Sequence, residues 1–194
     1  MTNPVILKGS ATCKMGTDSL YCGYKWSKVG DRGAPARARR SVYLEQVEQM
    51  FLGRYEHAID EKGRLTIPVR YRELLANGAY VTQGFDHNLM VLDAPSFERI
   101  YEHVNQMSMT DPNARQLKRF IFSSAERVDI DRAGRMLLPQ FLREAARLEG
   151  IATIVGVGDY FEIWSPQHWA QQNELLQDTD VIAQRFAALS LPIR

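Results

Sequence analysis

Cysteine is nearly missing from this chain: two residues in 194, Cys13 and Cys22, both ahead of position 23. The remainder has no disulfide framework, no thiol nucleophile and no cysteine-based zinc set, a usage that favours the cytoplasm. Long apolar runs are missing too. No stretch approaches the roughly 18 residues of a membrane span, and "PVIL" near the amino terminus is too short for the apolar core of an export signal. Neither a membrane partner nor export is expected. An excess of one charge is absent as well, with 24 Lys and Arg against 23 Asp and Glu. A global field therefore cannot draw in a polyanion, and an interface with one needs a local patch, because exposed charges are screened within about 8–10 Å. His57, His87, His103 and His168 lack metal-ligand spacing, and no glycine-rich phosphate loop or Gly-x-Ser-x-Gly elbow occurs. No metal, no cofactor and no enzymatic activity are expected.

The balanced charge conceals an uneven distribution. Residues 1–49 carry eight Lys and Arg against four Asp and Glu, and the rest carries sixteen against nineteen. The first 49 residues show no sustained periodicity, and "GDRGAPARARR" has the composition of an unpacked segment. They are expected to form an unstructured extension. Two readings remain open: a start assigned too early, with Met50 the true first residue, or a tail whose Arg37, Arg39 and Arg40 add non-specific affinity for DNA.

What the chain has in place of these features is a repeat. "IDEKGRLTIP" at residues 59–68 returns as "IDRAGRMLLP" at 130–139, and residues 59–75 match 130–146 at seven of seventeen positions. Similarity at a fixed offset is the trace of a duplicated supersecondary unit. The expected organisation is a first copy over 50–107, a connecting helix over 108–124, a second copy over 125–176 and a carboxyl-terminal helix or tail over 177–194. In each copy, strands flank the repeated turn and a short helix follows with Pro68 or Pro139 at its first position. A strand pair and a closing helix complete the copy. Phe97, Ile100, Tyr101, Val104 and Met107 form one helical stripe, Ser165 is a candidate N-cap, and Leu117, Phe120 and Ile121 face inward from the connecting helix. In "DTDVIAQRFAALS", Ile182, Phe186 and Leu189 seek a partner surface.

The repeated turn carries the chemistry. In Asp-x-x-Gly the carboxylate accepts hydrogen bonds from the turn's own backbone, and glycine supplies the positive φ. Asp60, Gly63, Pro68, Asp131, Gly134 and Pro139 are therefore assigned to architecture. Alternation beyond the glycine turns Arg64 and Arg135 outward near a hairpin tip, opposite in sense to Leu65 and Ile67, or Met136 and Leu138. Outward guanidinium groups suit nucleic acid, since they fork onto a phosphate or onto guanine O6 and N7. Lys62, Arg54, Arg70 and Arg72 accompany the first copy, and Arg127, Arg132 and Arg143 the second. For any one of them, a solvated charge or a pair with Glu61, Glu73 or Glu144 is an equally good reading. Recurrence at matched positions lifts Arg64 and Arg135 above it. Two other classes compete. One is an assembly or protein-interaction module built from the same hairpins; the other is a carboxylate dyad of Asp60 and Asp131 sharing a proton. Phe161, Trp164 and Trp169 read as core residues.

"MFLGRYEHAIDEKGRLTIPVRYRELL" followed by "VDIDRAGRMLLPQFLREAA" closely resembles the MraZ transcriptional regulators, which carry two SpoVT-AbrB repeats, with the resemblance spanning residues 50–194. It implies an α+β, mainly β fold: a duplicated swapped-hairpin β-barrel with short packing helices. It also implies a ring-shaped homo-oligomer that binds short direct repeats in double-stranded promoter DNA, acting mainly as a repressor of the division and cell-wall gene cluster in the cytoplasm and nucleoid. Carried over by motif, Arg64 and Lys62 are the leading DNA contacts and Arg54 a lesser one. Arg135 occupies the matching place in the second copy, where Ala133 replaces Lys62 and thins the patch.

Overall fold

The computed structural model describes residues 50–177 and Phe186. The expected extension over 1–49 and nearly all of the carboxyl-terminal helix over 177–194 lie outside the described residues. The first half contains β1 (Phe51–Ala58), β2 (Arg64–Thr66), α1 (Val69–Arg72), β3 (Ala79–Gln83), β4 (Leu89–Asp93) and α2 (Ala94–Asn105), after which α3 (Pro112–Ser123) leads to the second half. The second half repeats the order with β5 (Glu126–Val128), β6 (Arg135–Leu137), α4 (Gln140–Ala145), β7 (Ile151–Gly158), β8 (Tyr160–Trp164) and α5 (Pro166–Gln177).

These elements form a six-stranded antiparallel sheet, ordered β1-β7-β8-β4-β3-β5, beside a two-stranded ribbon of β2 and β6. Exchanging the halves reverses the sheet order onto itself, so the chain has a pseudo-two-fold axis. That axis passes between β4 and β8, where Met90 faces Glu162, and through the ribbon, where Leu65 faces Met136. The first strand of each half pairs with the other half: β1 lies on β7 over eight residue pairs, and β5 on β3 over three. The class is α+β, as expected, but the barrel is not. Among the described residues the sheet is open, with β1 and β5 as its edges. Closure would require β1 to bond β5, and each pairs only with the opposite half's hairpin.

The ribbon fills the space over the sheet. Its inward residues Leu65, Ile67, Met136 and Leu138 are at most 1% exposed and share one core with Leu89, Val91, Phe161 and Ile163 of the axial strands. Phe51, Tyr71 and Phe161 meet in that core with ring centroids 5.0–5.3 Å apart, the tilted and edge-on geometry that aromatic quadrupoles favour. Tyr71 donates its hydroxyl to the Leu52 carbonyl at 3.0 Å, and burial pushes its ionisation up to about 12. The prolines sit one position earlier than expected. Pro68 and Pro139 are N-caps of α1 and α4, with ψ of 137° and 143°. Their extended backbone follows from the ribbon, whose ladder continues to the residues just before them: the Ile67 N–H donates to the Gly134 carbonyl and the Leu138 N–H to the Gly63 carbonyl, each at 2.9 Å.

Leu65 and Met136 each bridge ribbon and sheet. Leu65→Ala and Met136→Ala should each cost about 2–4 kcal/mol, measured as a shift in the urea midpoint with unchanged slope.

Candidate nucleic-acid interface

Each repeated turn is organised by its aspartate. Asp60 Oδ1 accepts the backbone N–H groups of Lys62 at 3.0 Å and Arg64 at 2.9 Å; Asp131 Oδ1 accepts those of Ala133 and Arg135, both at 2.9 Å. The Asp60 and Asp131 carbonyls accept from Gly63 and Gly134 at 2.8 Å, and these glycines adopt φ of +78° and +76°. A side chain in that region is strained, which is why glycine stands there.

The second carboxylate oxygen captures the arginine. Arg64 Nε donates to Asp60 Oδ2 at 2.7 Å and Arg135 Nε to Asp131 Oδ2 at 2.9 Å, with Arg135 Nη2 lying 2.8 Å from the same oxygen. Weaker cross-pairs join the halves, Arg64 Nη1 to Asp131 at 4.0 Å and Arg135 Nη1 to Asp60 at 3.8 Å. Among the described residues, every ion pair within 4.0 Å belongs to this cluster of four charges. The expectation of two unpaired outward guanidinium groups is therefore corrected. Because the turn occupies only one oxygen of each aspartate, the other stays available, and an ionised carboxylate within reach of a guanidinium forms a charge-assisted hydrogen bond. Neither arginine is hidden, however. Their side chains remain 29% and 32% exposed.

The two arginines are held alike, each donating Nε to its own aspartate with Nη1 toward the carboxylate of the other half. The residues around them differ. Lys62, Arg54 and Arg70 are exposed, and among the described residues no carboxylate pairs with them. At the second turn, Ala133 stands for Lys62, Leu137 for Thr66 and Phe141 for Arg70, with Leu137 and Phe141 about half exposed, while exposed Arg132 stands for Glu61.

Two arginines named among the charges around the turns, Arg72 and Arg143, have a role that the sequence reading did not give them. Arg72 donates Nε to the Ile67 carbonyl at 2.9 Å, with its guanidinium over Gly134 of the other half; Arg143 donates to the Leu138 carbonyl at 3.2 Å, with its guanidinium over Gly63. Each braces the opposite turn. The signal was their identity at matched positions, shared with Glu73 and Glu144. The carboxylate dyad does not survive the electrostatics. Asp60 is held below the ordinary value of 3.8 first by the Arg64 backbone N–H, with burial opposing and the Arg64 guanidinium adding to the lowering. Asp131 is lowered first by the Arg135 side chain and then by its backbone N–H. A proton-sharing pair needs one carboxyl raised.

Compared with known proteins, the chain matches the family model of the MraZ protein, whose description adds a likeness to antitoxins, over residues 50–120 and 121–190. It is 48% identical over 141 residues to the transcriptional regulator MraZ of Thermomicrobium roseum, covering 72% of this chain and 99% of that protein. It is 46% identical to the Roseiflexus castenholzii protein of the same name, over 71% of this chain and 94% of that one. Against that of Lactiplantibacillus plantarum it is 38% identical, over 71% and 98%.

Lowered carboxyl values set the acid limit. Aspartates ionised more readily when folded add stability that is present above the unfolded value and lost as pH falls through the folded one. Unfolding free energy should decline below about pH 4, and Asp60→Asn with Asp131→Asn should flatten that decline. Urea titrations from pH 6 to 2.5 check this; a double variant with the original slope would exclude the cluster as its source.

Proposed function

The chain belongs to the MraZ family of transcriptional regulators, which are not enzymes, and on that premise we propose that it binds promoter DNA through the first-copy turn, with Arg64 reading bases and Lys62 and Arg54 holding phosphates. The observation that carries this reading is the company of Arg64: Lys62, Arg54 and Arg70 stand exposed, and among the described residues no carboxylate pairs with them, whereas Ala133 and Phe141 take the places of Lys62 and Arg70 in the second copy. Asp60 holds Arg64 through Nε, and the Nη edge belongs to a side chain that is 29% exposed. That edge can fork onto guanine O6 and N7, and an arginine whose orientation is already fixed loses less freedom on binding. The neutral cluster supplies no net attraction, so the exposed cations Lys62, Arg54 and Arg70 provide it. Arg135, flanked by Ala133, Leu137 and Phe141, takes the lesser role.

A single subunit offers few phosphate contacts. In the proposed assembly, identical chains form a ring whose first-copy turns line one rim, and effective concentration multiplies weak contacts along short direct repeats. The open edge of β1 and the apolar residues beside it support self-association. The exchange of first strands between halves supports a duplicated swapped-hairpin ancestry of the SpoVT-AbrB type. Repression of the division and cell-wall gene cluster, in the cytoplasm and at the nucleoid, completes the reading.

Gel shifts with the region upstream of its own gene test it. Log affinity should fall steeply with log salt, and Lys62→Ala should reduce the slope by about one. Arg64→Ala should abolish specific binding while leaving the assembly size unchanged by light scattering. Arg64→Lys, which keeps the charge but cannot fork, should leave non-specific affinity and lose at least about tenfold in specificity. Equal titrations for all three variants would favour an assembly module without DNA readout.

A further inference from the structure

The ribbon of β2 and β6 has one face in the core and one in solvent, and its register fixes which side chains share the second. Arg64 lies opposite Leu137, Leu65 opposite Met136 and Thr66 opposite Arg135. Successive side chains of a strand alternate between faces, and Leu65 and Met136 are 0% exposed. Arg64, Leu137, Thr66 and Arg135 therefore make up the outer face. The Leu138 N–H donates to the Gly63 carbonyl and the Ile67 N–H to the Gly134 carbonyl. Bonded and non-bonded pairs alternate along an antiparallel ladder, so the Arg64–Leu137 and Thr66–Arg135 pairs next to these bonds are of the non-bonded kind, in which side chains stand closest.

On this face the two halves diverge. The pseudo-two-fold axis exchanges Arg64 with Arg135 and Thr66 with Leu137. Arginine is kept, whereas the place of a threonine is taken by a leucine that is 55% exposed. Arg64 thus has an apolar group as its cross-strand neighbour, and Arg135 has a hydroxyl. Cross-strand Cβ atoms lie about 4.5–5.5 Å apart, against a base step of about 3.4 Å. A ribbon that puts Arg64 on one base pair therefore brings Leu137 within reach of the next.

We propose that Leu137 is a specificity-determining residue that packs on the C5 methyl of a thymine adjoining the guanine read by Arg64. The inference rests on the DNA-binding reading given above. The major groove admits a two-stranded ribbon, and the thymine methyl is the apolar group that a base presents there. A leucine takes up that methyl without leaving a polar atom of its own unpaired. Thr66, beside Arg135, offers a hydroxyl in the matching place and does not read the same base in the same way. A ribbon with identical halves would read a palindrome, since the symmetry of a site mirrors that of the protein. Leu137 in place of a second threonine removes that symmetry and gives each subunit a direction along the duplex, which the proposed direct repeats demand.

The test is a gel-shift titration of the full chain at fixed salt against two duplexes from upstream of its gene, one natural and one with deoxyuridine for every thymidine, which lacks only the C5 methyl groups. The wild-type chain should bind the methyl-free duplex at least about fourfold more weakly, the effect of leaving one methyl-sized group in water. This comparison needs no substitution. Leu137→Ser, at an exposed position that tolerates a polar residue, should bind both duplexes alike. Specific wild-type binding with no preference between the duplexes would overturn the proposal and leave the DNA-binding reading standing, as would a Leu137→Ser chain that keeps the preference. A smaller Leu137→Ser assembly by light scattering would place the leucine between subunits and overturn it as well. Absence of specific binding to either duplex would sink that reading and this inference together.

Discussion

The reciprocal hold of β2 on β6 is the constraint on which the remainder of this structure depends. Leu65 facing Met136 puts one core residue from each half on the pseudo-two-fold axis, and the ladder runs on until the Gly63 and Gly134 carbonyls accept from the other half. That register brings each repeated turn to the start of the opposite half's short helix. Arg72 and Arg143 can then brace turns that are not their own, and the four charges of Asp60, Arg64, Asp131 and Arg135 meet in one cluster. A one-residue slip would reverse every side chain of the ribbon, placing Leu65 and Met136 in water and the arginines in the core.

The proposed contact with DNA places two opposed demands on the cluster. A guanidinium destined for an external anion must be accessible, yet a long free side chain loses rotamer entropy on binding. Aspartates that already serve the turn through Oδ1 hold the arginines through Oδ2, giving fixed orientation at partial exposure. The cost is charge neutrality, so attraction must come from neighbours such as Lys62, Arg54 and Arg70. Duplication made two such turns, and substitution then let them diverge. Ala133, Leu137 and Phe141 in the second stand where the first has Lys62, Thr66 and Arg70, and Arg132 stands where the first has Glu61.

Much of this was legible in the residues. Fixed-offset identity marked the duplication, Asp-x-x-Gly marked a turn closed by glycine in a positive-φ conformation, and Ala133 in place of Lys62 marked the divergence. The exchange of β1 and β5 between halves was not legible, because each strand's alternation shows which side is apolar and not which ladder it joins. The open sheet follows from that same non-local pairing. The capture of Arg64 and Arg135 was missed because the aspartate was credited with a single task, the backbone of the turn, while a carboxylate has two oxygens. Arg72 and Arg143 were read as surface charge, since nothing local to either names a glycine in the opposite half as its neighbour.

The central claim is that Asp60 presents Arg64 to DNA without releasing it. The side-chain 15N–1H spectrum of Arg64, recorded free and with a duplex from upstream of the gene, tests this most directly. A protected Nε–H resonance should be visible in the free protein and persist in the complex, with the shift confined to the Nη groups. An Nε–H lost to rapid solvent exchange in the free protein, or one that shifts with loss of the Asp60 hydrogen bond on binding, would contradict it.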